Sequence, residues 1–125
     1  MLILDSGGLS RLAKRDRQTV ALLIALRRRG LWPPIVPSMV LVESLTQSRR
    51  DANTHRFLAT ADVRTHVPMP LARRAAELRT QAGRGSAVDA LVVAMAEPGL
   101  TVLTSDRADL QALAAHADGV VVEVM

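Results

Sequence analysis

A chain of 125 residues, 49% of them hydrophobic, suits one folded domain over 1–125 and excludes a disordered or fibrous one. It has no cysteine, which excludes disulfides, thiolate metal sites and cysteine nucleophiles and makes a reducing cytoplasm its natural home. The net charge is +4, carried almost entirely by arginine, with Lys14 the only lysine. Residues 1–30 hold seven cations (Arg11, Lys14, Arg15, Arg17, Arg27, Arg28 and Arg29) against Asp5 and Asp16, whereas residues 61–125 come out at −2. A basic N-terminal third beside an acidic remainder suits a polyanion held near an acidic, metal-binding cleft, although a solvated arginine-rich face would look the same.

Taken in chain order, Leu2-Ile3-Leu4 reads as a buried strand, since Asp5 interrupts an apolar run that has no basic segment before it. Leu9 to about Ala13 and Val20 to Leu26 read as helices, ended by Gly30 and Pro33-Pro34. Ile35-Val36 is a second strand, and Ser38 is placed to cap a helix carrying Val40, Leu41 and Leu45. A polar helix with Phe57 and Leu58 follows, then a third strand over Val63–Val67. Leu71, Ala75, Leu78 and Ala82 keep helical spacing up to Gly83. Ser86 opens an alanine-rich helix that ends near Pro98-Gly99. Thr101–Thr104 is a fourth strand, Asp106 to Ala115 a helix and Val120–Val122 a fifth strand. No apolar run approaches the ~20 residues that span a membrane. The alternation predicts an α/β fold, a five-stranded parallel sheet covered by helices on both faces in a three-layer sandwich.

In such sheets functional groups gather beyond the carboxyl ends of the strands. Asp5 and Asp106 directly follow strands, Asp89 lies in the first turn after Ser86, and Glu43 lies in the helix after the second strand. Each has a structural alternative. Asp5 and Asp106 also suit helix caps, Ser86-x-x-Asp89 is a capping box, and Glu43 would serve as an exposed helical glutamate. Singly, capping is the better account of each aspartate; together, four acids at one edge point to a shared site. Clustered carboxylates repel each other, and a hard divalent cation such as Mg²⁺ or Mn²⁺ removes that cost. Such a site supports phosphoryl transfer and phosphodiester hydrolysis.

The segments Leu-Ile-Leu-Asp5-Ser6, Glu43 in its helix, Val88-Asp89-Ala90-Leu91-Val92-Val93-Ala94 and Leu103-Thr104-Ser105-Asp106-Arg107-Ala108-Asp109-Leu110 together make the chain resemble the PIN-domain family, in particular the VapC-type ribonuclease toxins of toxin–antitoxin pairs. The resemblance runs the whole length. It implies a Mg²⁺- or Mn²⁺-dependent endoribonuclease, a homodimer and a small antitoxin partner. It implies that Asp5, Glu43, Asp89 and Asp106 are catalytic metal-site acids, and that Asp109 binds a second metal or holds a metal-bound water. Thr104 or Ser105 would supply a hydroxyl that positions a carboxylate or a phosphate. Gly7 and Gly8 depart from the family, which often has a hydroxyl and a small apolar residue there; this removes any side-chain contact from position 7 and is expected to loosen the loop.

His55, His66 and His116 match no metal-ligand spacing and read as ordinary surface or half-buried residues. No nucleophile elbow or phosphate-binding loop is present. Trp32 and Phe57 are the only aromatics, so RNA contacts fall to arginines, with Arg11, Arg15, Arg73 and Arg74 as candidates. Trp32 with Pro33-Pro34 reads as a packed turn, and Val20–Leu26 as core or as a dimer or antitoxin surface. The competing reading is a catalytically silent RNA-binding or regulatory module of the same fold. A receiver or haloacid-dehalogenase-type phosphatase fits less well, since the only lysine comes early and Gly7 stands where a second aspartate is needed.

Overall fold

The computed structural model describes residues 1–125. Five parallel strands, β1 (Leu2–Leu4), β2 (Ile35–Pro37), β3 (Asp62–Arg64), β4 (Thr101–Thr104) and β5 (Val121–Val124), lie in the order β3-β2-β1-β4-β5. The helices are α1 (Ser6–Ala13), α2 (Arg17–Arg28), α3 (Val40–Ser44), α4 (Ala52–Leu58), α5 (Met69–Ala82), α6 (Ala87–Ala96) and α7 (Arg107–Ala114), with a 3₁₀ turn at Arg49–Asp51 before α4. α1 packs on α2, α3 and α4, while α6 packs on α5 and α7. This is the expected three-layer α/β/α sandwich.

Parallel strands buried on both faces read as continuous apolar runs, and β1 obeys: Leu2, Ile3 and Leu4 are fully buried. Around them Leu9, Leu12, Leu26, Val92, Val102 and Leu103 form the main core. A second cluster, centred on Leu78, Val93 and Leu113, joins α5, α6 and α7.

Strand order reverses at β1, which pairs with β2 on one side and β4 on the other. That reversal opens a crevice beyond the carboxyl ends of β1 and β4, where open parallel sheets hold their ligands. Asp5 and Asp106 are carried into it by the chain leaving those two strands.

Three elements differ from expectation. Ser38 does not cap α3: the helix starts at Val40 behind Met39, with no side-chain cap, and Ser38 instead donates its N–H to the Arg64 carbonyl at 2.8 Å, the last rung between β2 and β3. β3 covers Asp62–Arg64 and not Val63–Val67, because its partner β2 is only three residues long and its last rung, from Ser38, ends at Arg64. β5 runs over Val121–Val124 rather than Val120–Val122, because all four residues of β4 template it. The glycines after Asp5 do not loosen a loop; both lie inside α1.

Candidate active site

Asp5, Glu43, Asp89, Asp106 and Asp109 line one polar cleft of about 220 Å³, with Ser6, Gly7, Thr104 and Ser105 in its walls and Leu110 as its one apolar residue. The acids come from four separate places in the chain: the end of β1, α3, the first turn of α6, and the β4–α7 junction.

Asp5 is buried, only 6% exposed. Its Oδ1 accepts from the Gly8 N–H at 2.7 Å and so caps α1, and its Oδ2 accepts from the Thr104 hydroxyl at 2.6 Å. Thr104, itself 1% exposed, also accepts the Asp106 N–H at 3.0 Å, so one hydroxyl ties the two strand-end acids together. Burial pushes the Asp5 carboxyl above its ordinary value, with Asp89 and Asp106 adding to the rise and the bonds from Thr104 and Gly8 opposing it.

Asp89 completes a capping box with Ser86: the Ser86 hydroxyl accepts the Asp89 N–H at 3.0 Å, and Asp89 Oδ2 accepts the Ser86 N–H at 3.2 Å. Asp106 caps α7 through Ala108 at 3.3 Å. Asp109 pairs with Arg84, Nε to Oδ1, at 2.6 Å. Glu43 differs from the rest: it accepts no hydrogen bond and forms no ion pair. Although the residue as a whole is exposed, its carboxyl is pushed up, first by desolvation against the cleft wall and then by Asp89 and Asp5.

An all-oxygen set of carboxylates, two of them raised partly by mutual repulsion, fits a hard divalent cation in its chemistry. As placed, no three acids stand close enough to grip one ion. The reason is on view: Asp5, Asp89, Asp106 and Asp109 are each drawn towards a cap or an arginine.

No protein-family model matches the sequence, and no curated protein is similar to it. Solved structures are similar over nearly the whole chain. A toxin–antitoxin complex from Klebsiella pneumoniae matches with a TM-score of 0.66 at 21% identity, covering 97% of this chain and 96% of that one. FitAcB from Neisseria gonorrhoeae matches at 0.61 and 20%, covering 98% and 96%. VapBC2 from Rickettsia felis, bound to a DNA fragment from its promoter, matches at 0.66 and 13%, covering 99% and 98%. At these identities the likeness is one of fold.

The chain has the PIN-like fold.

Within this PIN-like fold the arginines picked from the sequence scatter. None of Arg11, Arg15, Arg73 and Arg74 lines the acidic cleft. Arg74 is committed to Glu97 by two parallel bonds of 2.8 and 2.9 Å, and with its other nitrogen to Glu77; it is a structural clamp and not a free phosphate contact. Arg11 donates to the Thr19 hydroxyl at 2.6 Å. Arg73 is exposed on α5. The three histidines are exposed. Trp32 is half-buried, edge-on to Phe57 with ring centres 6.0 Å apart. The Val20–Leu26 stretch divides by face: Leu26 is core, whereas Val20 and Ile24 are 55% and 43% exposed.

The glycine pair after Asp5 has a steric cause. A Cβ on Gly7 would collide with the Ser105 hydroxyl and lie 2.8 Å from the Ser105 backbone nitrogen. A Cβ on Gly8 would collide with the Leu103 carbonyl. Small residues here let α1 close onto the end of β4, and nothing in sequence spacing shows that approach.

Proposed function

We propose that this chain is a metal-dependent endoribonuclease of the VapC toxin type. The observation that carries the reading is the convergence of five acids from four chain segments on one cleft at the point where strand order reverses. Among them Glu43 has no structural partner, so its place beside Asp5 and Asp89 has no folding explanation. Asp5, Glu43, Asp89 and Asp106 would hold a Mg²⁺ or Mn²⁺ ion, with Asp109 as an auxiliary acid; the ion would supply a nucleophilic water and charge stabilisation at phosphorus. Thr104 holds the Asp5 carboxylate in one orientation, and Ser105 lies exposed at the rim, free to meet a phosphate oxygen. Toxin–antitoxin complexes among the proteins of like fold support an antitoxin as partner, and the family resemblance supports a homodimer and a cytoplasmic setting. No helix is long and apolar enough to cross a membrane.

The test is RNA cleavage by the purified chain with Mg²⁺ or Mn²⁺, beside Glu43→Gln and Asp89→Asn. Both variants should lose cutting by about 10²-fold or more. Full activity in Glu43→Gln would remove the site assignment. One observation favours a silent module of the same fold: four of the five acids are already engaged and no three converge on an ion. Calorimetry with Mn²⁺ separates the two, since the silent module takes up no ion.

A further inference from the structure

Two open grooves continue from the acidic cleft, end to end. The first shares Ser6, Gly7, Glu43 and Ser105 with it and runs between α1 and the 3₁₀ turn and α4. The second shares Ala13, Lys14 and Asn53 with the first and reaches Trp32. Lys14 and Arg50 line the first, and Arg15, Arg27 and Arg56 join Lys14 in the second. None of these five cations is in an ion pair; the paired arginines are Arg29, Arg64, Arg74 and Arg84. Past Glu43 no acid lines the path.

Five unpaired cations on one path leave a strip of positive potential that starts at the acids and leads away from them. Only two of the twelve residues lining the first groove are hydrophobic, and none is aromatic, so it offers phosphate and sugar contacts rather than base stacking. Ser10, Asn53 and Thr54 add neutral hydrogen-bonding groups. The far end differs in having an aromatic ring, the half-buried Trp32, with Arg27 lying 4.6 Å over it in a cation–π contact. The first groove has a volume of about 450 Å³ and is bounded by α1 on one side and by the 3₁₀ turn and α4 on the other.

We propose that these grooves form a track for the sugar-phosphate backbone of a single RNA strand, which they lead to the acids. The choice of RNA rests on the nuclease reading above; the track itself rests on the cations and the grooves. Lys14 and Arg50 grip the phosphates nearest the cleft, and Arg15, Arg27 and Arg56 grip those that follow.

Trp32 is the only tryptophan, so its fluorescence reports on the far end of the track. The full-length Asp5→Asn chain, in a chelating buffer so that nothing is cut, is titrated with oligouridylates of increasing length over a range of salt. Short strands should leave Trp32 unchanged, and strands long enough to pass the first groove should alter its emission. The slope of log K against log salt should fall by about 1.4 in Lys14→Ala/Arg50→Ala, two contacts at about 0.7 each. A charge-matched Arg28→Ala/Arg29→Ala pair, at the end of α2, should leave the slope as it was. No Trp32 response at any length overturns the track, as does an unchanged slope in the Lys14/Arg50 variant. A duplex that perturbs Trp32 as tightly as a single strand overturns the assignment to one strand. A normal titration from a wild-type chain that cuts nothing would sink the nuclease reading and leave the track standing; cutting with an unaltered slope does the reverse.

Discussion

Asp5 ends a strand, caps a helix and lines the cleft, and its titration shows what that combination costs. Its carboxyl is raised above the ordinary 3.8, chiefly by burial, so the folded chain holds that proton more tightly than the unfolded chain does. Stability therefore declines as pH rises from the ordinary value through the raised one, and stays at the lower level above it. Asparagine caps helices as well as aspartate does and cannot ionise. On replacement the Thr104 hydroxyl can turn its proton to the Asp106 carbonyl, 3.0 Å away, and accept from the new amide. Asp5→Asn should thus melt no lower than wild type at pH 7, and the difference should close as pH falls below the ordinary carboxylate range. Melting curves at several pH values check this; a clear loss at pH 7 would show that the charged hydrogen bonds outweigh the burial. Gly8 gives the opposite kind of test. Gly8→Ala forces a methyl against the Leu103 carbonyl, and overpacking of that kind should cost about 1–3 kcal/mol by denaturant unfolding.

Among the elements, those with strong local signals were legible in the sequence. β1 is an apolar run, β4 a short run rich in β-branched residues, α5 stops where Gly83 turns left-handed at φ 68°, and the Ser86–Asp89 box opens α6. The errors fell where a partner decides the outcome. β3 and β5 are edge strands whose limits are set by β2 and β4, and Ser38 is spent on a sheet rung instead of a cap. The ion-pair partner of Arg74 is hidden from the sequence for the same reason, since Glu97 is distant in sequence and meets it only after α5 and α6 pack. That clamp also holds the Asp118 N–H through Glu97 Oε2 at 2.8 Å, so it joins α5, the end of α6 and the turn before β5. Arg74 holds the Glu97 carboxyl below its ordinary 4.5. The stability it lends is present above that value and fades as pH falls through the lowered one. With both side chains partly solvated, Arg74→Ala should cost about 1–2 kcal/mol at pH 7 and less in acid. An equal cost at both pH values would mean that packing of the arginine stem, rather than the ion pair, is what matters.

At the scale of the whole molecule, the uneven charge along the sequence becomes a geometric division. The acids collect at the crevice beyond β1 and β4, and five cations free of ion pairs trail from it, after the end of α1, in α2, in the 3₁₀ turn and in α4. The excess of cations was legible in composition; which of them share a groove was not. Lys14 and Arg50 belong to segments that meet only when α1 packs on α4. A cation bound at the crevice and not by the unfolded chain stabilises the folded state by RT ln(1 + c/Kd) at a free concentration c, a gain that grows with the logarithm of that concentration. Saturating Mn²⁺ should therefore raise the melting temperature of the wild type, and Glu43→Gln should blunt that rise while its metal-free melting point at pH 7 does not fall, because the carboxyl it removes is desolvated and faces Asp89 and Asp5. An equal rise in both would place the ion elsewhere.

The capping roles of the acids bear on how this fold diverges. Asp5, Asp89 and Asp106 each close the start of a helix, so selection for folding alone would preserve them in a descendant with no catalytic role. Their persistence along a lineage is thus poor testimony to activity. Glu43 closes nothing and holds nothing. When chemistry is abandoned, it is the acid free to drift first, which makes position 43 the place to look when sorting working copies of this fold from retired ones.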